Sequence, residues 1–151
     1  MTDYYIATVK YGDIDQTTGK EVVLSEQYLL DSVSFADAEE RIYGEIVSRT
    51  NGDFDVSGIK RVKLSEIIFD PKSVKDTWYK AKVQFFESDE KTGKIKKVNH
   101  GVLVNSQNIK TAISDIIDRM CDVVEPWAIV SIADTELIEV FISENVTNEQ
   151  V

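Results

Sequence analysis

The chain has 151 residues, 42% hydrophobic and 29% charged, enough for one compact domain or two small halves sharing a core. Its net charge of −10 argues against broad binding to duplex DNA or to an anionic membrane, whose phosphates it would repel. The start, MTDYYIATVK, carries an early acid and no apolar run, and nothing downstream approaches the roughly 18 apolar residues of a membrane span. With Cys121 as the single cysteine, no intrachain disulfide can form, and a cytoplasmic setting without membrane association is expected.

The first predicted strand covers residues 4–11, with Tyr5, Ala7, Val9 and Tyr11 on one face. It runs into Asp15-Gln-Thr-Thr-Gly-Lys20. A phosphate-binding loop needs G-x-x-x-x-G-K-[ST] followed by a helix. Here Glu21 follows Lys20 and a strand comes next, so Gly19 reads as a hairpin glycine. The acids Asp13 and Asp15 do not make a calcium loop either. Counted from Asp13, Thr18 and Leu24 stand where Gly and Glu are required.

A second strand over 21–30 leads to a helix. Ser34 is its expected N-cap, with Asp37 three residues on in a capping-box pattern. Phe35, Ala38, Ile42 and Ile46 form the apolar stripe, widened by Tyr43 and Val47, and Asn51-Gly52 is the expected stop. Strands over 56–62 and 64–69, or one long bulged strand in their place, should then close the unit. Residues 71–76, starting at Pro71, read as a linker.

After the linker the pattern returns. At an offset of 74, WYKAKVQF lies on YYIATVKY and DEKTGK lies on DQTTGK. Identical pairs include Tyr5/Tyr79, Val9/Val83, Asp15/Asp89, Gly19/Gly93, Lys20/Lys94 and Ile42/Ile116. The second copy thus has strands over 78–85 and 95–104 and a helix capped by Asn108. That helix carries a stripe of Ile109, Ala112, Ile116 and Met120, widened by Ile117 and Cys121, and Pro126 bars its extension. Strands over 128–133 and 136–142 complete it. The expected fold is α+β: an internal duplication of a β-β-α-β-β unit, antiparallel sheets with one helix per repeat, in a pseudo-twofold arrangement. The organisation is 1–70 as first repeat, 71–76 as linker, 77–143 as second repeat and 144–151 as tail, one compact domain overall. Each half alone is marginal in size, so a shared core is expected.

Candidate chemistry is sparse. His100 is the only histidine and its repeat mate is Glu26. A metal site or a His-based catalytic set wants more partners. Cys121 falls on the helix stripe and reads as a small core hydrophobe. No catalytic, cofactor-binding or metal set is therefore assigned, no cofactor is expected, and the chain reads as a non-enzyme. The two hairpins differ in charge. Residues 4–26 hold Lys10 and Lys20 against Asp13, Asp15, Glu21 and Glu26, a net of −2. Residues 78–100 hold Lys80, Lys82, Lys91, Lys94, Lys96 and Lys97 against Glu87, Asp89 and Glu90, a net of +3. A basic hairpin on an acidic protein is a candidate recognition patch, made of Lys80, Lys82, Lys94, Lys96 and Lys97 with Gln84 and His100 at its edge.

The segments YYIATVKY, YLLDSVSFADAEERI and IKRVKLSEIIFD, followed by WYKAKVQF, EKTGK and VSIADTELIEVFI, carry a resemblance over nearly the whole chain. The sequence resembles an uncharacterised family of small proteins from gut Bacteroidetes and their phages, known only as a domain of unknown function. The resemblance implies a bacterial or phage cytoplasmic setting and supplies no activity and no site residues. Three functions stay open: a non-catalytic regulatory protein acting on another protein, a binder of an anionic small molecule such as a signalling nucleotide, and a single-stranded nucleic-acid binder. The last needs exposed aromatics beside the lysines, with Trp78, Tyr79 and Phe86 as candidates.

Overall fold

A computed structural model describes residues 3–50 and 52–142. Along the chain run β1 (Asp3–Ile14), β2 (Glu21–Ser32), α1 (Phe35–Val47), β3 (Phe54–Val62), β4 (Glu66–Ile68), β5 (Thr77–Ser88), β6 (Ile95–Ser106), α2 (Ile109–Arg119), β7 (Trp127–Asp134) and β8 (Leu137–Phe141). The protein is mixed α and β, mostly strand. Contacts divide it into two units. The first holds the described residues up to Val62 and those from Glu136 on; the second is Lys63–Thr135.

The first unit is a sheet of order β3-β1-β2-β8. Its long hairpin pairs Asp3 with Ser32 through to Ile14 with Glu21. The Asp-x-x-Thr-Gly-Lys turn closes it by spending its own donors. Gly19 donates its N–H to the Asp15 carbonyl at 2.7 Å, and Asp15 N–H donates to the Lys20 carbonyl at 2.9 Å. The Asp15 carboxylate accepts from Thr17 N–H at 2.8 Å. Gly19 sits at φ 70°, the left-handed region that a side chain disfavours. The hairpin reading of Gly-Lys therefore holds, because few turn amides are left for a phosphate.

Helix α1 starts where Ser34 accepts from Asp37 N–H at 3.1 Å. The Asp37 carboxylate accepts from the Ser32 hydroxyl at 2.7 Å. Ala38, Ile42 and Ile46 are buried against Tyr5, Ala7, Val9, Tyr28, Leu30 and Phe141. Burying each larger apolar side chain is worth roughly 1.5–3 kcal/mol before entropy. The margins of the stripe stay exposed at Phe35, Tyr43 and Val47, although Phe35 rests edge-on against Tyr5 at 4.9 Å. The helix ends at Val47 with Ser48 as its C-cap, and the expected stop residue Asn51 lies outside the described residues.

The second unit repeats this order as β4-β6-β5-β7. Gly93 donates to the Asp89 carbonyl at 2.7 Å with φ 71°. Asn108 caps α2 by accepting from Thr111 N–H at 2.8 Å. Ala112, Ile116 and Met120 are buried against Tyr79, Ala81, Val83, Val102 and Val104. Helix α2 stops at Arg119, well short of Pro126. Cys121 lies in the turn beyond it and is exposed. It continues the margin of the stripe, where Ile117 of α2 and Val47 of α1 are exposed as well, which corrects its assignment to the core.

The last strand of each half also departs from expectation. Residues 64–69 do not join β3's sheet; β4 lies parallel to β6, with Glu66 opposite Val102 and Ile68 opposite Val104. Likewise β8 lies parallel to β2, with Leu30 opposite Phe141. Both sheets are therefore mixed, not antiparallel. Side-chain alternation marks a strand and its buried face but does not name its partner. Glu139 of β8 pairs with Arg49, just beyond α1, and Glu66 of β4 pairs with Arg119 of α2. Phe141 stacks on Tyr28 at 5.6 Å with the Arg49 guanidinium 5.0 Å above its ring. The expected linker 71–76 is the loop from β4 to β5, pinned where Asn105 accepts from Lys75 N–H and donates to the Lys75 carbonyl at 2.9 Å. The tail expected over 144–151 lies outside the described residues.

Candidate functional site

Alternation along β5 and β6 sorts the basic hairpin into two faces. Tyr79, Ala81, Val83 and Phe85 face α2, so Lys80, Lys82 and Gln84 point the other way. The register sets Lys82 opposite Gly101, Gln84 opposite Asn99 and Phe86 opposite Lys97. Lys80, Lys82, Gln84 and Lys97 thus share the face away from the helix, where the Gln84 amide donates to Asn99 Oδ1 at 3.0 Å. Lys96 lies opposite Glu87 and His100 opposite Val83, both on the helix side. Lys94 belongs to the turn, its N–H 3.4 Å from the Thr92 hydroxyl. The candidate patch is therefore split between two faces and a turn.

On the face away from α2 lies a groove of about 450 Å³. Lys63, Lys80 and Lys82 line it with Asn99 and Ser131, and Asp134 is its one acid. Gly101 forms part of the floor. A Cβ there would come within 2.9 Å of the Lys63 carbonyl oxygen, and Ser65 N–H donates to the Gly101 carbonyl at 2.7 Å. The missing side chain is what lets residues 63–65 cross β6 and bring Lys63 to the two strand lysines. Sequence reading missed Lys63, Ser65 and Ser131. The available signal was a glycine inside a strand, which often marks a close backbone approach.

The helix-side cleft is about 380 Å³ and is lined by His100, which also borders the lysine groove. Its Nδ1 lies 2.7 Å from the Ser65 hydroxyl, and its ring stands edge-on to Phe85 at 4.8 Å. His100 is half-buried, not the freely exposed strand residue that its position suggests. Glu66, Glu87 and Glu125 line the same cleft. Among the described residues no carboxylate is hydrogen-bonded to the imidazole, and Glu66 is engaged by Arg119. A serine nucleophile of the Ser-His-Asp kind wants a third group orienting its base. Among the described residues no cluster of His, Cys, Asp and Glu is placed to hold a metal ion.

The corresponding position in the first unit is built differently. The Tyr11 hydroxyl donates to Glu26 Oε1, and the Tyr28 hydroxyl donates to Glu26 Oε2 at 2.5 Å. The bond to Glu26, backed by burial and the nearby carboxylates, pushes the Tyr11 phenol up to about 12. Burial first, then the Glu26 bond, raises Tyr28 as well. At the turns, Asp15 and Asp89 are held below the usual carboxylate range by the backbone N–H groups of Thr17 and Lys91, respectively.

The family described as Domain of unknown function (DUF4494) matches residues 3–143. The chain belongs to this family. The match spans β1 to β8, and so covers both sheets, the basic groove and the His100 cleft. No curated protein is similar to the chain. Among the described residues no helix is long and apolar enough to cross a membrane.

Proposed function

We propose that this family member is a non-catalytic binding protein that acts on another protein through the basic groove of its second unit. The observation that carries the reading is the convergence of Lys63, Lys80 and Lys82 on one face of a chain with net charge −10. An acidic partner surface is steered to this basic groove, while the acidic surface elsewhere repels indiscriminate polyanions. A bacterial or phage cytoplasmic setting belongs to the same proposal, supported by the resemblance and by the single cysteine. So does an origin by internal duplication, supported by the 74-residue offset and by Gly19 and Gly93 at nearly the same φ.

The test is charge reversal. Lys63→Glu with Lys80→Glu and Lys82→Glu should abolish partner capture and leave the thermal midpoint nearly unchanged, since all three side chains are exposed. Glu21→Lys, on the exposed first hairpin, is the matched control. Glu26→Lys is unsuitable as a control, because Glu26 receives two tyrosine hydroxyls. Capture that survives the triple reversal would move the site away from the groove.

A second reading, an anionic small molecule in the same groove, is favoured by its 450 Å³ volume. Native mass spectrometry of the purified protein separates the two, since a small ligand adds a few hundred daltons and a protein partner adds thousands. The nucleic-acid reading loses support: Trp78 and Tyr79 are buried, which leaves Phe86 alone of the three aromatics for base stacking.

A further inference from the structure

The basic groove ends at β7, the edge strand of its sheet. Natural edges are commonly blunted by lysines or prolines, because a bare row of N–H and C=O groups invites another strand. The edge strand β3 of the other sheet carries Asp55, Lys60 and Arg61. Strand β7 reads Trp-Ala-Ile-Val-Ser-Ile-Ala-Asp and carries no charge before Asp134. Its one irregularity is the bulge that leaves Val130 unpaired between Ile129 and Ser131. Beyond it the register is regular, with Ser131 opposite Lys82 and Ala133 opposite Lys80.

We propose that the outer edge of β7 is a docking strand for an extended acidic segment of a partner protein, whose alternate carboxylates meet Lys82 and Lys80. The proposal rests on the protein-binding reading above and names the form the partner takes. A strand added to β7 would lie roughly 10 Å from β5, two strand spacings away. Between them stand only the small side chains of Ser131 and Ala133, both exposed, so the lysine stems can lean across toward the added strand. Side chains at i and i+2 of the added strand share a face and repeat at the spacing of Lys80 and Lys82. Main-chain pairing would supply affinity and the two lysines the choice of sequence, as in strand addition generally.

The full chain, labelled with nitrogen-15, is titrated with a synthetic peptide of about eight residues alternating Val and Glu, a typical strand length. Three comparisons are run: the same peptide N-methylated at alternate residues, the Lys80→Glu/Lys82→Glu variant, and a dilution series without peptide. The expected result is slowed amide exchange at Ile132 and Asp134, whose N–H groups face away from β5, on peptide addition, with affinity reduced at least tenfold by either N-methylation or the double variant. If N-methylation changes nothing but the double variant loses binding, edge pairing is overturned and the lysine groove stands. If binding ignores the double variant, both this proposal and the groove reading fail. No binding of the parent peptide overturns the docking strand. Concentration-dependent protection of the same amides without peptide also overturns it, in favour of a second copy of this chain.

Discussion

Gly19 and Gly93 adopt a backbone that side chains resist, and each stands in a turn whose amides bond internally. Gly19→Ala and Gly93→Ala should each cost about 1–2 kcal/mol, read from urea denaturation. The tyrosine pair on Glu26 predicts a pH effect of definite sign. The Tyr11 phenol, ordinarily near 10, is pushed up to about 12 in the fold. Folding therefore favours its neutral form; this contribution to stability is complete below pH 10 and is lost as pH rises toward 12. Absorbance titration near 295 nm should show tyrosines ionising late, and Glu26→Gln should move that titration down. Two buried serines make a further paired test. Ser32 donates to Asp37, whereas the Ser106 hydroxyl has no hydrogen-bond partner among the described residues. Ser106→Ala should be neutral or stabilising, and Ser32→Ala should cost about 1 kcal/mol. The turn glycines were legible in the sequence because their requirement is local. The Tyr11–Glu26 and Ser65–His100 contacts were not, because they join residues 15 and 35 positions apart through strand pairing and a crossing segment.

At the scale of elements, both helices follow from their periodicity. Ile42 and Ile116 are fully buried, and truncating either to Ala should cost roughly 2–5 kcal/mol by chemical denaturation. Their caps were legible too, since Ser34 and Asn108 each begin an apolar repeat and each accepts the N–H three residues on. Cys121 was misread because it widens the margin of the stripe, exposed at Ile117 and Val47, and not its buried centre. The strands were found and their inward faces placed, but β4 and β8 were given to the wrong sheets. A three-residue strand such as β4 carries no signal of its partner. What holds it in place, Gly101 under the Lys63 carbonyl and Arg119 on Glu66, is spread over distant parts of the chain. The candidate lysines were likewise legible as a charge excess. Their division between two faces became clear only with the register, which turns Lys80 and Lys82 one way and Lys96 and His100 the other.

At the scale of the molecule, each sheet takes its parallel strand from outside its own run of hairpin, helix and third strand, β8 following the whole second run and β4 preceding it. Residues 1–72 and 73–151, made separately, would each lack the strand that covers one edge of their sheet. Neither should show a cooperative thermal transition alone, and mixing them should restore one, as monitored by near-ultraviolet dichroism. A cooperative transition in either fragment would show that its remaining strands suffice. The placement of β8 also matters during synthesis. A chain leaving the ribosome produces β1, β2, α1 and β3 first, yet the place beside β2 stays vacant while every element of the second unit is translated. Throughout that interval the nascent chain presents the bare side of β2, with Tyr28 lacking the ring that will stack on it. The sheet begun first is finished last, so slow or stalled translation should leave a species prone to aggregate, and the rate of elongation becomes part of how reliably this protein folds.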